Sequence, residues 1–124
     1  MSPQQRRSRS TGLIAVAVDH ARLSYDYLNA GDVDAYASLF EKDVVVRRPD
    51  LTVRGRAALE RCQDGRAAHC HYTVTTVIAS EEHVVVIGVL TGETAEEVEF
   101  ADVFTFSEQG LFTTQQSFFF GTPG

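Results

Sequence analysis

The sequence contains no apolar run approaching the roughly 18 residues that a membrane-crossing helix needs. Its start has three arginines, and the segment that follows is interrupted by Asp19, His20 and Arg22, which is not the pattern of a secretory signal. Cysteine is scarce as well, with only Cys62 and Cys70 in 124 residues, so a disulfide scaffold is not indicated. We therefore expect free thiols and a cytoplasmic location.

Basic residues are scarce outside the N-terminus. The chain has 11 Lys and Arg against 17 Asp and Glu, for a formal net charge of −6, and three of the arginines fall within the first ten residues. An acidic body repels the phosphates of nucleic acid, so we expect neither a nucleic-acid nor a membrane partner. Residues 1–10 are predicted to be a disordered basic tail, and residues 11–124 a single domain.

Motifs for cofactors and metals are missing too. The sequence has no glycine-rich phosphate loop and no nucleophile-elbow serine motif. His69 and His71 could share one strand face and bind a metal, but a third ligand at compatible spacing is not evident. We expect no cofactor and no metal.

Helical periodicity marks the first half of the chain. Apolar residues recur at steps of three and four from Leu13 to Ala30, and Gly31 follows as a left-handed cap. Asp32 can cap a short second helix whose Val33, Tyr36, Leu39 and Phe40 fall on one side, and a third helix is predicted over residues 56–65. An extended segment covers residues 44–49.

Strand patterns dominate the second half. Four segments rich in β-branched and aromatic residues are separated by short turn sequences, and they span residues 71–79, 83–91, 96–106 and 111–120. Three helices followed by a meander predict an α+β domain, in which the helices pack on a strongly curved, mainly antiparallel sheet and enclose a pocket.

One strand of this sheet carries a carboxyl on its apolar face. Alternation puts Asp102 on an otherwise apolar face, with Val98, Phe100, Phe104 and Phe106. A carboxyl in such surroundings finds hydrogen-bond partners or has its pKa raised, which makes Asp102 a candidate catalytic acid, base or hydrogen-bond donor beside the apolar substrate-binding walls Phe100 and Phe104. A purely structural role, tying down backbone or pairing with an arginine, is the alternative.

Several polar residues could complete the site. Arg48 shares parity with Val44 and Val46 and is expected to point inward as an electrostatic partner of Asp102, although Arg47 is the alternative. On the first helix His20, Ser24 and Tyr27 fall in one row and are candidates to line the pocket, His20 as a catalytic residue and the other two as substrate contacts. On the last strand Gln115 and Gln116 point to opposite faces, so one of them should enter the pocket.

The order of three segments resembles a known superfamily. Residues 27–49, 54–61 and 101–112 together are similar to the nuclear transport factor 2-like superfamily, which includes ketosteroid isomerases, limonene epoxide hydrolases and SnoaL-like polyketide cyclases. The resemblance covers about residues 13–120. It implies a cone-shaped domain with a deep apolar pocket, which is usually dimeric.

The resemblance also carries roles for individual positions. Asp102 looks like the acid that donates a hydrogen bond to the substrate oxygen in ketosteroid isomerases, but Arg48 stands where those enzymes have their basic aspartate, and Ser24 where they have a helix tyrosine. Relative to limonene epoxide hydrolases, Phe100 replaces the arginine and the last strand has no carboxylate. SnoaL-like cyclases, which often use a single pocket acid, remain the nearest analogy.

Two hypotheses follow for the function. The first is a cofactor-free cyclase, isomerase or dehydratase-like enzyme of secondary metabolism, acting on an apolar oxygenated metabolite such as a polyketide. The second is a non-catalytic ligand-binding or accessory protein that uses the same pocket. Because Phe118, Phe119 and Phe120 cannot all be buried against one core, we also predict a homodimer.

Overall fold

Three helices and six strands make up the part of the chain that the computed structural model describes, residues 10–64 and 70–120. The helices are α1 (Thr11–Ala30), α2 (Val33–Ala37) and α3 (Arg56–Asp64). The strands are β1 (Phe40–Arg48), β2 (Leu51–Arg54), β3 (His71–Ala79), β4 (His83–Thr91), β5 (Glu97–Phe106) and β6 (Phe112–Phe120). The predicted tail lies outside the described residues except for its last position, Ser10. No helix in the described ranges is long and apolar enough to cross a membrane.

Capping residues fix the ends of the first two helices. The Ser10 side chain accepts a hydrogen bond from the Leu13 N–H at 3.0 Å, and Gly31 closes α1 in the left-handed conformation at φ 73°. The Asp32 side chain caps α2. The second helix is shorter than the sequence pattern predicts, because Phe40 is buried as the first residue of β1 rather than on the helix.

The strands form one mixed sheet in the order β2-β1-β6-β5-β4-β3. All neighbouring strands are antiparallel except β1 and β6, which run parallel. The predicted meander is confirmed as β3 to β6. The hairpin of β1 with β2 was missed apart from the extended segment 44–49, since β2 has only four residues and a mostly exposed face.

Local irregularities bend the sheet. The pairing of β3 with β4 shifts register between Val74 and Thr76, and Gly88 lies opposite this bulge. A Cβ atom on Gly88 would lie 2.2 Å from the Thr73 carbonyl oxygen and 2.9 Å from the ring of Phe100, so only glycine fits. The ring of Phe100 therefore packs over bare backbone, and the concave face of the sheet turns towards α1.

Aromatic side chains fill part of the space between helices and sheet. The ring centroids of Phe104 and Phe112 are 4.3 Å apart, those of Phe112 and Phe40 5.4 Å, and those of Phe40 and Tyr36 4.9 Å. Each such pair contributes about 0.5–1.5 kcal/mol beyond burial of its area. This stack of rings extends from Phe104 to Tyr36, and Tyr36 also lines the cavity described below.

Candidate functional site

Asp102 lies on the concave face of β5, as the strand alternation predicts. It is 4% exposed, and the neighbouring inward residues Phe100 and Phe104 are each 1% exposed. Water therefore does little to solvate the carboxyl, and its state depends on the side chains around it.

Tyr25 on α1 is the closest partner of this acid. Its hydroxyl donates a hydrogen bond to Asp102 Oδ2 at 2.5 Å. The ring of Tyr25 is held by packing against Tyr72, Phe100 and Phe104, with centroid distances of 5.5, 5.6 and 6.4 Å. The hydroxyl is thus aimed at the carboxyl by a rigid aromatic cluster.

Sequence reasoning missed Tyr25, although a signal for it was present. The buried residues of α1 are Ala17, Ala21, Ser24, Tyr25 and Leu28, a row that includes steps of four from Ala17 through Ala21 to Tyr25. Two alanines in this row let the helix approach the sheet closely. The row of small residues, unlike the row that contains the larger Leu13 and Val16, predicts that Tyr25 points inward.

Strand β6 supplies two more polar groups. Ser117 is directly opposite Asp102 in the strand pairing, and Gln115 is opposite Phe104. Both are 7% exposed, and Gln115 Nε2 donates to Ser117 Oγ at 3.3 Å. Gln116 is exposed on the other face, so Gln115 is the glutamine that enters the pocket.

These surroundings favour the neutral form of the acid. Burial raises the pKa of Asp102 above its ordinary value of 3.8, while hydrogen bonds from Ser117, Tyr25 and Gln115 and the charge of Arg48 lower it by less. Burial, and then the nearby Asp102, hold the pKa of Tyr25 well above its usual range. The tyrosine remains a hydrogen-bond donor, and the carboxyl is biased towards a state that can also donate.

The acid opens onto a small cavity. Its volume is about 20 Å³, where roughly 10–15 Å³ is enough for one water molecule. Its walls come from all layers of the fold and comprise Tyr25, Leu28, Tyr36, Arg48, Tyr72, Phe100, Asp102, Gln115, Ser117 and Phe119.

A wider groove adjoins this cavity. It has a volume of about 270 Å³ and is lined by Arg47, Arg48, Pro49, Gln116, Ser117, Phe118, Phe119 and Phe120. Arg48, Ser117 and Phe119 line both spaces, and Phe119 is 38% exposed. A ligand lying in this groove can therefore approach Asp102 past Arg48 and Phe119.

Arg48 stands at this mouth and not against the acid. One guanidinium nitrogen lies 3.6 Å from Cys62 Sγ, and no ion pair joins Arg48 to Asp102. Arg47 is exposed, so Arg48 is the inward arginine of the two, as strand parity suggests. The expected direct ion pair is not observed, which is why burial dominates the pKa of Asp102.

The other predicted helix residues lie outside the cavity. His20 Nδ1 is 2.8 Å from the Gly110 carbonyl oxygen, at the turn between β5 and β6. Ser24 is buried, but its hydroxyl donates to the Ala21 carbonyl at 2.6 Å. Tyr27 is half-buried and does not line the cavity. His20 and Tyr27 are displaced because α1 turns the row that contains Tyr25 towards the sheet. Ser24 belongs to the buried side of the helix, but its hydroxyl is bonded to its own backbone.

Phe104 also differs from its expected place. It belongs to the packed aromatic core behind Asp102 rather than to the cavity lining, whereas Phe100 lines the cavity as expected. The ring of Phe104 therefore packs against the ring of Tyr25 and helps to hold it in position.

The described residues contain no cluster of three or more His, Cys, Asp or Glu side chains that could hold a metal ion. His69, which was considered with His71 as a possible metal ligand, lies outside the described residues. Cys62 and Cys70 are both free thiols, as the sequence predicts.

Helices packed on a curved and unclosed six-stranded mixed sheet form the cone fold of the nuclear transport factor 2-like class of proteins. The chain belongs to the SnoaL-like domain family, whose model matches residues 21–115. No curated protein matches the sequence.

Solved structures agree with this assignment at the level of the fold. A candidate ketosteroid isomerase from Kribbella flavida DSM 17836 is similar with a TM-score of 0.78 and 22% identity, over 90% of this chain and 82% of that one. A candidate polyketide cyclase from Sinorhizobium meliloti has a TM-score of 0.73 and 18% identity, over 81% and 94%. Bal32a, from a soil-derived mobile gene cassette, has a TM-score of 0.76 and 21% identity, over 87% and 92%.

Proposed function

We propose that this protein is a small-molecule cyclase or isomerase in which neutral Asp102 donates a hydrogen bond, and then a proton, to a carbonyl oxygen of an apolar oxygenated substrate. The observation that carries the proposal is the buried pair of Asp102 and Tyr25 at the wall of the cavity. The SnoaL-like family, with neighbours described as candidate isomerases and cyclases, supports the reaction class.

The hydrogen-bond geometry suits a donor role. Tyr25 occupies Oδ2 of the carboxyl, so in the neutral acid the proton can reside on the other oxygen and be given to a ligand. When negative charge develops on the substrate oxygen, a pre-positioned donor in a dry site stabilises it without reorganisation. Loss of one such donor in other enzymes costs about 10²–10³ in rate.

The charged groups available favour ring closure over proton shuttling between carbons. Asp102 is the one carboxyl among the described residues that line the cavity, and Arg48 is the one cation. In an intramolecular aldol closure, an enol carbon attacks the carbonyl carbon, and the carbonyl electron pair moves to oxygen and takes the Asp102 proton. The enol hydroxyl then loses its proton, which returns to the carboxylate. A single acid is sufficient for this sequence.

The small volume of the inner cavity limits which part of a substrate can enter it. Sites for drug-sized ligands are usually about 300–1,000 Å³, far larger than the inner cavity. The reacting carbonyl would enter the cavity, and the apolar remainder would lie in the adjoining groove beside Arg48 and Phe119. Arg48, at the junction, can stabilise negative charge on the part that enters.

Cyclisation of heptane-2,6-dione tests the proposal. Its enol, present through keto–enol exchange in solution, would close in the site to 3-hydroxy-3-methylcyclohexanone, and loss of water then gives the cyclic enone that is followed by absorbance. The wild-type protein should accelerate the reaction, and Asp102→Asn should lower the rate about 100-fold or more, since the amide can donate a hydrogen bond but cannot transfer a proton. Gln109→Met, in the exposed turn between β5 and β6 and outside the lining of both the cavity and the groove, is the matched control and should retain full activity. Dione binding without any acceleration would instead favour the second hypothesis, a ligand-binding protein.

A further inference from the structure

One polar atom in the cavity is left without a partner. Gln115 is 7% exposed, and its Oε1 accepts no hydrogen bond within the described part of the chain. A buried acceptor without a donor is costly, by about 1–3 kcal/mol in proteins generally. Such groups are uncommon in folded proteins and need an explanation.

The surrounding network determines which amide atom is unpaired. Gln115 Nε2 donates a hydrogen bond to the hydroxyl oxygen of Ser117 at 3.3 Å. This contact uses the nitrogen of the amide group, so the oxygen is the atom left without a partner.

The unpaired oxygen is close to the acid. Within one amide group the oxygen and nitrogen are at most about 2.6 Å apart, because each is one bond from the same carbon. Gln115 Oε1 therefore lies within about 6 Å of Ser117 Oγ, the cross-strand neighbour of Asp102. One small ligand fragment can contact both Asp102 and this oxygen.

We propose that Gln115 Oε1 accepts a hydrogen bond from a hydroxyl group of the ligand, so that the cavity selects molecules with a carbonyl oxygen for Asp102 and a nearby hydroxyl, either a β-hydroxy ketone or an enol. The inference rests on the proposed function of Asp102 and adds the second anchoring group. In the ring closure described above, an enol hydroxyl becomes more acidic as the carbon–carbon bond forms. Its hydrogen bond to Gln115 would strengthen in the transition state.

The test compares three probes that differ at one position: 4-phenylbutan-2-one, its 4-hydroxy derivative and its 4-methoxy derivative. Their affinities for the full-length wild-type protein are measured by calorimetry. The hydroxy ketone should bind roughly 3- to 10-fold more tightly than the parent ketone, the range for one neutral hydrogen bond. The methoxy ketone adds an oxygen but no donor and should show no such gain.

Substitutions then locate the preference. Gln115→Met, similar in size and without an acceptor amide, should lose the preference for the hydroxy ketone and still bind the parent. Gln109→Met, outside the lining of both the cavity and the groove, should keep the preference. A gain for the methoxy ketone equal to that for the hydroxy ketone overturns the inference, and so does a preference that survives in Gln115→Met. If Gln115→Met does not fold, the comparison of hydroxy and methoxy ketones on the wild type decides alone.

Asp102→Leu separates this inference from the proposed function. Ketone binding that is unchanged in Asp102→Leu contradicts the role of Asp102, whatever the hydroxyl does. Ketone binding that depends on Asp102, with no gain from the hydroxyl, contradicts only the role of Gln115. Failure of all three probes to bind the wild type counts against both.

Discussion

The raised pKa of Asp102 makes a prediction about stability that needs no substrate. In the unfolded chain this carboxyl titrates near 3.8, and in the folded protein it titrates at higher pH because burial disfavours the charge. Between these two pKa values the folded state binds one more proton than the unfolded state. The contribution of Asp102 to stability is therefore fully present below the unfolded pKa and is lost as pH rises towards the folded pKa.

Asp102→Asn removes this titration. The difference in unfolding free energy, variant minus wild type, should increase from about pH 4 upward by as much as ~1.4 kcal/mol per pH unit, and become constant above the folded pKa. Other carboxyls affect both proteins equally and cancel in the difference. The measurement is urea denaturation followed by circular dichroism at half-unit steps from pH 4 to pH 8.

The matched control is Asp26→Asn, which removes an exposed carboxyl from α1 and the same unit of charge. A rise seen for Asp102→Asn and not for Asp26→Asn supports the buried acid. A difference that is flat, or that falls as pH rises, would mean that Asp102 is ionised throughout in the folded protein. The donor mechanism would then be refuted.

Three further predictions concern Tyr25, Gly88 and the exposed phenylalanines of β6. Tyr25→Phe removes the hydroxyl that donates to Asp102, so urea denaturation should show a loss of about 1–3 kcal/mol, and the pH-dependent window of Asp102 should move upward. Gly88→Ala forces a methyl group against backbone, so we expect a loss of about 1–3 kcal/mol in the same assay; an unchanged midpoint would contradict the close packing. Phe118 and Phe120 are 42% and 54% exposed, and light scattering should show a homodimer, whereas a monomer at micromolar concentration would count against that prediction.

Much of the fold could be predicted because its signals are local. The periodicity of α1 and the alternation in β3 to β6 each extend over nine or more residues, and caps such as Gly31 mark the ends. Strand β2 and the true end of α2 could not be predicted in this way. Phe40 satisfies a helical spacing and a strand position equally well, and only the pairing of β1 with β6 decides between them.

The residues of the site also differ in whether a local sequence pattern predicts them. Asp102 was found because a carboxyl among phenylalanines is anomalous on a single strand. The inward glutamine required the register of β6 against β5, and Tyr25 required the rotation of α1 about its axis. That rotation is set by tertiary contacts: Gly110, at φ 77°, packs against Val16, and its carbonyl meets His20. Within α1 itself, only the small residues Ala17 and Ala21 indicate this rotation.

The position of the tyrosine also bears on the chemistry. By resemblance to ketosteroid isomerases a helix tyrosine would stand at position 24, where this chain has a serine bonded to its own helix. Tyr25, one residue further on, directs its hydroxyl at Asp102 rather than into free cavity space. The ligand would then meet the carboxyl itself, whose charge is disfavoured by burial, and Arg48 replaces the basic aspartate of those isomerases. Among the described residues that line the cavity there is one carboxyl and one cation, and this set favours the proposed activation of a carbonyl over the transfer of a proton from one carbon to another.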